Sequence, residues 1–121
     1  LFQAADKAGH TVLAGSDDRV FRPTSLLLGA LASCAGVDLV TILGKKRQQV
    51  TGIEAHLTKE SAPKPPWGIV KIEIEWVIRG HGLSEKAVTD SVHLAEERYC
   101  SVAASLKSEI VTTIRLVEES S

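Results

Sequence analysis

Between Leu26 and Leu43 the chain reads LLLGALASCAGVDLVTIL, and apolar residues fall on nearly every face of the helix this stretch would form. Pro23 opens the segment, and Thr24 or Ser25 can cap the orphan N–H groups of its first turn. Such a helix has to be surrounded rather than laid on a surface. Its eighteen residues approach the length of a membrane span. Asp38 lies inside the run, however, Ser33 and Gly36 interrupt it, and the remaining segments are amphipathic, which favours a buried central helix.

A different period comes next. Ile53, Ala55 and Leu57 alternate with Glu54, His56 and Thr58; Val70, Ile72, Ile74, Trp76 and Ile78 then alternate with Lys71, Glu73 and Glu75. Period-two alternation over this length predicts strands with one buried and one wet face. The connection from Ser61 to Gly68 holds Pro63, Pro65 and Pro66, so it is a stiff, exposed loop, and the two strands are read as an antiparallel pair. Gly80-His81-Gly82 ends the second strand. Ser84 then caps a helix, Leu83 can staple onto Val88, and Val88, Val92, Ala95 and Tyr99 recur at helical spacing, with Glu85, Lys86, Glu96 and Glu97 on the solvated side. A short helical stretch runs from about Ser101 to Lys107, and a last strand points Ile110, Thr112, Ile114 and Leu116 inward. At the other end of the chain, Leu1 to Arg22 alternates weakly around a Gly9-His10 turn and is read as a short edge hairpin. The order predicts an α+β fold, with helices segregated against an antiparallel sheet.

Composition narrows the function classes. With 44% apolar and 24% charged residues, the 121-residue chain is of ordinary globular type and is read as one domain spanning 1–121. A formal charge of −1, with no basic run longer than Lys45-Lys46-Arg47, leaves no broad positive face for nucleic acid. The chain holds no Met, not even an initiator; its natural start is expected upstream, and targeting is not judged from this end. Two cysteines are too few for a secreted disulfide framework or, without histidine help, for structural zinc. His10, His56, His81 and His93 are scattered without ligand spacing, so neither a metal nor a cofactor is expected, although His93 lies on roughly the helical face of Cys100.

The two thiols are the candidate chemistry. Cys34 sits in the middle of the most apolar helix, where a free cysteine packs as a small hydrophobe. Cys100 sits where the Ser84 helix ends and the next helical turn begins, and unpaired N–H groups there favour a thiolate. These positions by themselves allow either two packing residues or a reversible pair. Reactivity asks for more, because the thiolate is the nucleophile and an ordinary thiol, with a pKa of about 8.5, is only a few per cent ionised at neutral pH. Apolar burial lowers that fraction further. A working Cys34 therefore needs a cation nearby, and Arg is the one that never loses its charge. Asp38, four residues on along the same face, would oppose ionisation and is read as structural. Trp67 and Trp76 are read as loop cover and core, and Tyr99 as packing near the thiols or filling a helix junction.

The stretch RPTSLLLGALASCAGVDLVTILGKKRQ resembles the central helix of the OsmC/Ohr family, and EERYCSVAASL resembles its second-cysteine motif. The strands between them, ending at Ile78-Arg79-Gly80, and the capped helix fit as well, so the likeness runs from about Pro23 to Leu116. The Tyr-Cys-Ser-Val form at Tyr99 to Val102 is similar to a subgroup described loosely as redox proteins, whereas the better-studied peroxidases have Cys-Pro at this point. The resemblance implies an intertwined, swapped homodimer with its active sites at the interface, in a cytoplasmic setting. It further implies a hydroperoxide reductase in which Cys34 is the peroxidatic thiol, Cys100 the resolving thiol and Arg22, preferred over Arg19, the thiolate's partner. A sulfenic acid on Cys34 would condense with Cys100 to a disulfide, reset by an external dithiol of the lipoyl type. The apolar surroundings of Cys34 suit an organic hydroperoxide, whose alkyl tail gains from burial. One departure stands out: where the family has a glutamate that orients the arginine, this chain has Thr24 and Ser25, which offer hydroxyls but no charge.

That departure keeps a second reading open, the same dimer holding a small hydrophobic ligand in its interface pocket without turnover. A third treats both cysteines as packing residues in a structural protein.

Overall fold

In the computed structural model, which describes residues 1–119, the chain runs β1 (Phe2–Ala5), β2 (Thr11–Ala14), α1 (Pro23–Lys45), β3 (Gln49–Ser61), β4 (Ile69–His81), α2 (Glu85–Leu94), a π-helical turn (Ala95–Tyr99), α3 (Ser101–Ala104) and β5 (Glu109–Glu118). The fold is α+β, as the order of periods predicts. The alternation in β3 and β4 becomes an antiparallel ladder that sets Ile53 opposite Ile78, Ala55 opposite Trp76 and Leu57 opposite Ile74. Ile72, Ile74, Trp76 and Ile78 therefore share one face of the central strand, and all four are buried. Val70, expected on the same face, is exposed. Val77 is buried on the opposite face, between its register partners Glu54 of β3 and Arg115 of β5.

The three-stranded sheet has the order β3-β4-β5 and is mixed, a correction to the antiparallel expectation: β4 and β5 run parallel, with Ile74 beside Thr112 and Trp76 beside Ile114. The reason is the connection. A helical crossover through α2, the π turn and α3 returns the chain to the end where β4 began, which makes the next strand parallel. The hairpin also differs from its reading as an edge of this sheet. Among the described residues β1 and β2 pair with each other and with no other strand, from Phe2 opposite Ala14 to Ala5 opposite Thr11, around a turn in which Asp6 holds the backbone and ring of His10, and Ala14 also bridges Phe21. It forms an arm with Phe2, Leu13 and Phe21 exposed.

Helix α1 places Leu28, Leu31, Ala35, Leu39 and Leu43 against the sheet, on one stripe at spacings of three and four. Each fully buried leucine contributes roughly 1.5–3 kcal/mol of transfer free energy. The helix ends where Arg47 takes a left-handed conformation (φ 56°), which lets the Gln48 N–H return to the Leu43 carbonyl at 3.0 Å. The expectation of a helix surrounded on all sides needs correction within the single chain: only 28% of its most apolar eighteen residues are buried, and Val37 and Val40 point outward. By length and composition α1 is also the one helix among the described residues apolar enough to cross a membrane, although its inner stripe packs on the sheet. Helix α2 begins as expected, with Ser84 Oγ accepting the Ala87 N–H at 3.2 Å, and buries Val88 and Val92 in the same core.

Gly80 closes β4 at a place with no room for a side chain. A Cβ there would overlap the Gln49 carbonyl oxygen of β3 and crowd Leu83 Cδ2 at 2.9 Å. We expect Gly80→Ala to destabilise the fold by about 1–3 kcal/mol, the usual scale of overpacking, measured by urea denaturation; an unchanged midpoint would refute the close approach.

Candidate active site

The two cysteines, from opposite halves of the chain, meet beneath the π turn. Cys34 occupies the middle of α1 and is half-buried, next to Ala35 on the buried stripe. Cys100 ends the π turn with an extended backbone (φ −81°, ψ 102°) and is at the same time the N-cap of α3. That double duty buries it to 4% exposure and aims its sulfur at α1. The Cys100 thiol donates toward the Leu31 carbonyl of α1 at 3.9 Å and accepts the Ala103 N–H at 3.4 Å. Ser101 puts its Oγ 3.9 Å from the Cys34 sulfur, and the two thiols are close enough to perturb each other's ionisation.

The environments push the thiols apart. Cys34 is held below the ordinary thiol range, chiefly by the Val102 backbone N–H and then by the Cys100 thiol, with smaller help from the side chain and backbone of Ser101; slight desolvation works against them. Cys100 is pushed up, first by its own burial, against which the Ala103 N–H pulls down, and further by its contact with Cys34. The two shifts run in opposite directions, Cys34 toward the ionised form and Cys100 toward the neutral one. They describe a coupled pair, so the protons belong to the site as a whole.

The arginines are elsewhere. Arg22 is the N-cap of α1, twelve residues before Cys34, about 18 Å along the axis at 1.5 Å per residue. Its Nη2 is engaged by Asp18 at 2.9 Å, and Arg19 by Asp17 at 2.6 Å, all at the exposed root of the arm. Within one chain the structure thus brings Cys34 and Cys100 together and leaves Arg22 apart. Thr24 is exposed in the same first turn. His93 faces Glu97 at 3.6 Å, and among the described residues no group of three His, Cys, Asp or Glu side chains is placed to hold a metal ion.

Two participants escape the sequence reading. Ser101 reads as an ordinary N1 residue, and only the fold sets it across from Cys34. Glu96, read as part of a solvated face, is half-buried: Oε1 accepts the Trp76 indole N–H and Oε2 the Thr112 hydroxyl, each at 2.7 Å. A signal for it was present. A core Trp needs a partner for its N–H, and Thr112 is the polar member of an otherwise aliphatic inward row on β5. A cavity of about 100 Å³ is lined by Leu31, Ala35, Ile74, Ala103, Ile110, Glu96 and Glu97, and by neither cysteine.

Residues 15–115 match the pattern of OsmC-like proteins, and the chain belongs to that family. Among its relatives, Protein YhfA of Escherichia coli is 33% identical over 114 residues, covering 93% of this chain and 85% of that protein. A hypothetical protein from Aquifex aeolicus, solved by crystallography, superimposes with a TM-score of 0.83 at 34% identity, covering 94% of this chain and 85% of the other. The organic hydroperoxide resistance protein OhrB of Bacillus subtilis is more distant, at a TM-score of 0.56 and 16% identity over 95% of this chain and 94% of its own; that likeness is one of fold.

The opposed shifts predict an order of modification. At neutral pH iodoacetamide should label Cys34 well before Cys100, by tenfold or more on the scale that thiolate fraction and access impose; peptide mass mapping of partially labelled native protein checks this, and equal labelling would contradict the assignment.

Proposed function

We propose that this OsmC-like protein is a thiol-dependent peroxidase that reduces organic hydroperoxides through Cys34 and Cys100 and serves in oxidative-stress defence. The observation that carries the reading is the juxtaposition of the two thiols across α1 and the start of α3, the half-exposed Cys34 shifted toward ionisation and the buried Cys100 shifted away from it. The Cys34 thiolate attacks the terminal oxygen of ROOH, the O–O bond breaks, and the alkoxide leaves as ROH after taking a proton. Cys34 becomes a sulfenic acid. Cys100 then attacks that sulfur, hydroxide leaves as water with the proton Cys100 gives up, and the disulfide forms. An external dithiol of the lipoyl type returns both thiols by exchange and is itself oxidised to its disulfide. Leu31, Ala35, Ile74 and Ile110, which line a small cavity together with Glu96, Glu97 and Ala103, offer apolar surface to a short alkyl tail.

Neutral donors take the part that the sequence assigns to a cation. The Ser101 hydroxyl stands 3.9 Å from the Cys34 sulfur, and the Val102 and Ser101 N–H groups favour its ionised form, since hydrogen bonds to a charged acceptor are stronger than those between neutral groups. The serine of Tyr-Cys-Ser-Val keeps an N–H that a proline at the same place would lack. Arg22, held by Asp18, reaches Cys34 only from a second copy. Such a copy is part of the reading: a homodimer would cover Val37 and Val40 of α1 and the apolar arm with Phe2, Leu13 and Phe21. A cytoplasmic setting suits a thiol pair that must be re-reduced after each turnover.

Cumene hydroperoxide added to reduced protein should remove both thiols and lower the intact mass by two hydrogens. Cys34→Ser should abolish the change, and Cys100→Ser should stop it at a species one oxygen heavier. Ser101→Ala should move the pH profile of Cys34 alkylation upward and slow peroxide consumption several-fold at neutral pH. Thiols inert to excess hydroperoxide, with an apolar ligand retained in native mass spectra, would favour the non-catalytic ligand-binding dimer, a reading motivated by the missing carboxylate at Thr24 and Ser25. In sedimentation equilibrium the protein should run as a dimer and Val37→Asp should shift it toward monomer; a monomeric wild type would remove the dimer from the proposal.

A further inference from the structure

Glu96, on the π turn, hydrogen-bonds into the sheet. Its two oxygens span the sheet, one on Trp76 of β4 and one on Thr112 of β5, both at 2.7 Å. Thr112 pairs in register with Ile74, so Trp76 and Thr112 are diagonal neighbours on the helix-facing side. A carboxylate engaged by two strands fixes the π turn in position along and across the sheet. Glu96 lies four residues before Cys100, at the other end of the same turn.

The far edge of the Trp76 ring lies against the other cysteine's element. A Cβ at Gly36 of α1 would stand 3.8 Å from Trp76 Cη2 and 3.9 Å from its Cζ3, and Gly36 is two residues after Cys34. One indole thus abuts both elements that carry the thiols, holding Glu96 by its N–H and resting under α1 by its carbocycle. The π turn adds a second reason for a clamp. A turn with i→i+5 bonding inserts a residue relative to α-helix and so re-aims the chain beyond it. Here the first residue beyond the turn is Cys100, extended and capping α3.

We propose that Glu96 is a positioning residue which, through Trp76 and Thr112, holds the π turn so that the Cys100 sulfur stays within bonding reach of Cys34. It touches neither substrate nor reacting sulfur; it sets the effective concentration of one thiol at the other. This rests on the reading of Cys34 and Cys100 as a reversible pair. In the step concerned, Cys34 and Cys100 together lose two electrons and two protons to glutathione disulfide, which becomes two glutathione thiols, and one S–S bond replaces another.

The test is the equilibrium between protein dithiol and disulfide in glutathione buffers, which needs no hydroperoxide. Glu96→Ala should weaken disulfide formation by about tenfold or more, equal to ~30 mV or more for a two-electron couple. Glu96→Gln should stay close to wild type, because its amide oxygen can accept the Trp76 N–H while its NH2 donates to Thr112. Thr112→Val, close in shape, should fall between them and serves as the readout if the alanine variant does not fold. A mere loss of stability would not be rescued in the potential by glutamine. Equal potentials in wild type, Glu96→Ala and Thr112→Val would overturn the positioning role and leave the thiol pair intact. A wild type that forms no Cys34–Cys100 disulfide in any glutathione buffer would overturn the pair, and this proposal with it. A wild type that forms the disulfide here yet ignores hydroperoxides would remove the peroxidase reading while the Glu96 comparison still stands.

Discussion

The contact between the middle of α1 and the corner at Cys100 is the constraint around which the rest is arranged. Two neighbouring thiols resist ionising together, since the second charge would sit beside the first in a partly dry site. Burial settles which one yields. Cys100, under the π turn, bears the full cost of desolvation, while Cys34 keeps access to solvent and collects the N–H groups at the start of α3. The asymmetry between the two thiols thus comes from backbone placement and unequal burial.

The sheet supplies the rigidity this contact requires. The buried row Ile72, Ile74, Trp76 and Ile78 packs under the α1 stripe and against Val88, Val92 and Ala95. Trp76 sits at the centre of that row with its indole N–H satisfied by Glu96, so a polar group in the core comes with its partner. The outer side of α1 and the arm are apolar surfaces that this chain does not cover.

Much of the architecture was legible in the sequence because it rests on local periods. The strands, the Ser84 cap, the central helix and the cysteine-bearing segments come from alternation, capping chemistry and the two motifs. Three features were hidden. The parallel alignment of β5 depends on how the crossover returns, which no residue in β5 encodes. The π turn reads as ordinary helix, since Val88, Val92, Ala95 and Tyr99 keep helical spacing until the inserted residue. Glu96 beside Glu97 looks like a solvated pair, and only the height of the turn above the sheet tells them apart.

The sequence by itself determined the element order, the inner stripes and the family likeness, because these depend on residue types at short separations. The tertiary structure decided which groups meet: Cys34 with Cys100 and Ser101, Glu96 with Trp76 and Thr112, Arg22 with Asp18 instead of a thiol. A thiol's charge and reach are set by neighbours far away in the chain, through distance and desolvation, and neither quantity exists until the chain has folded.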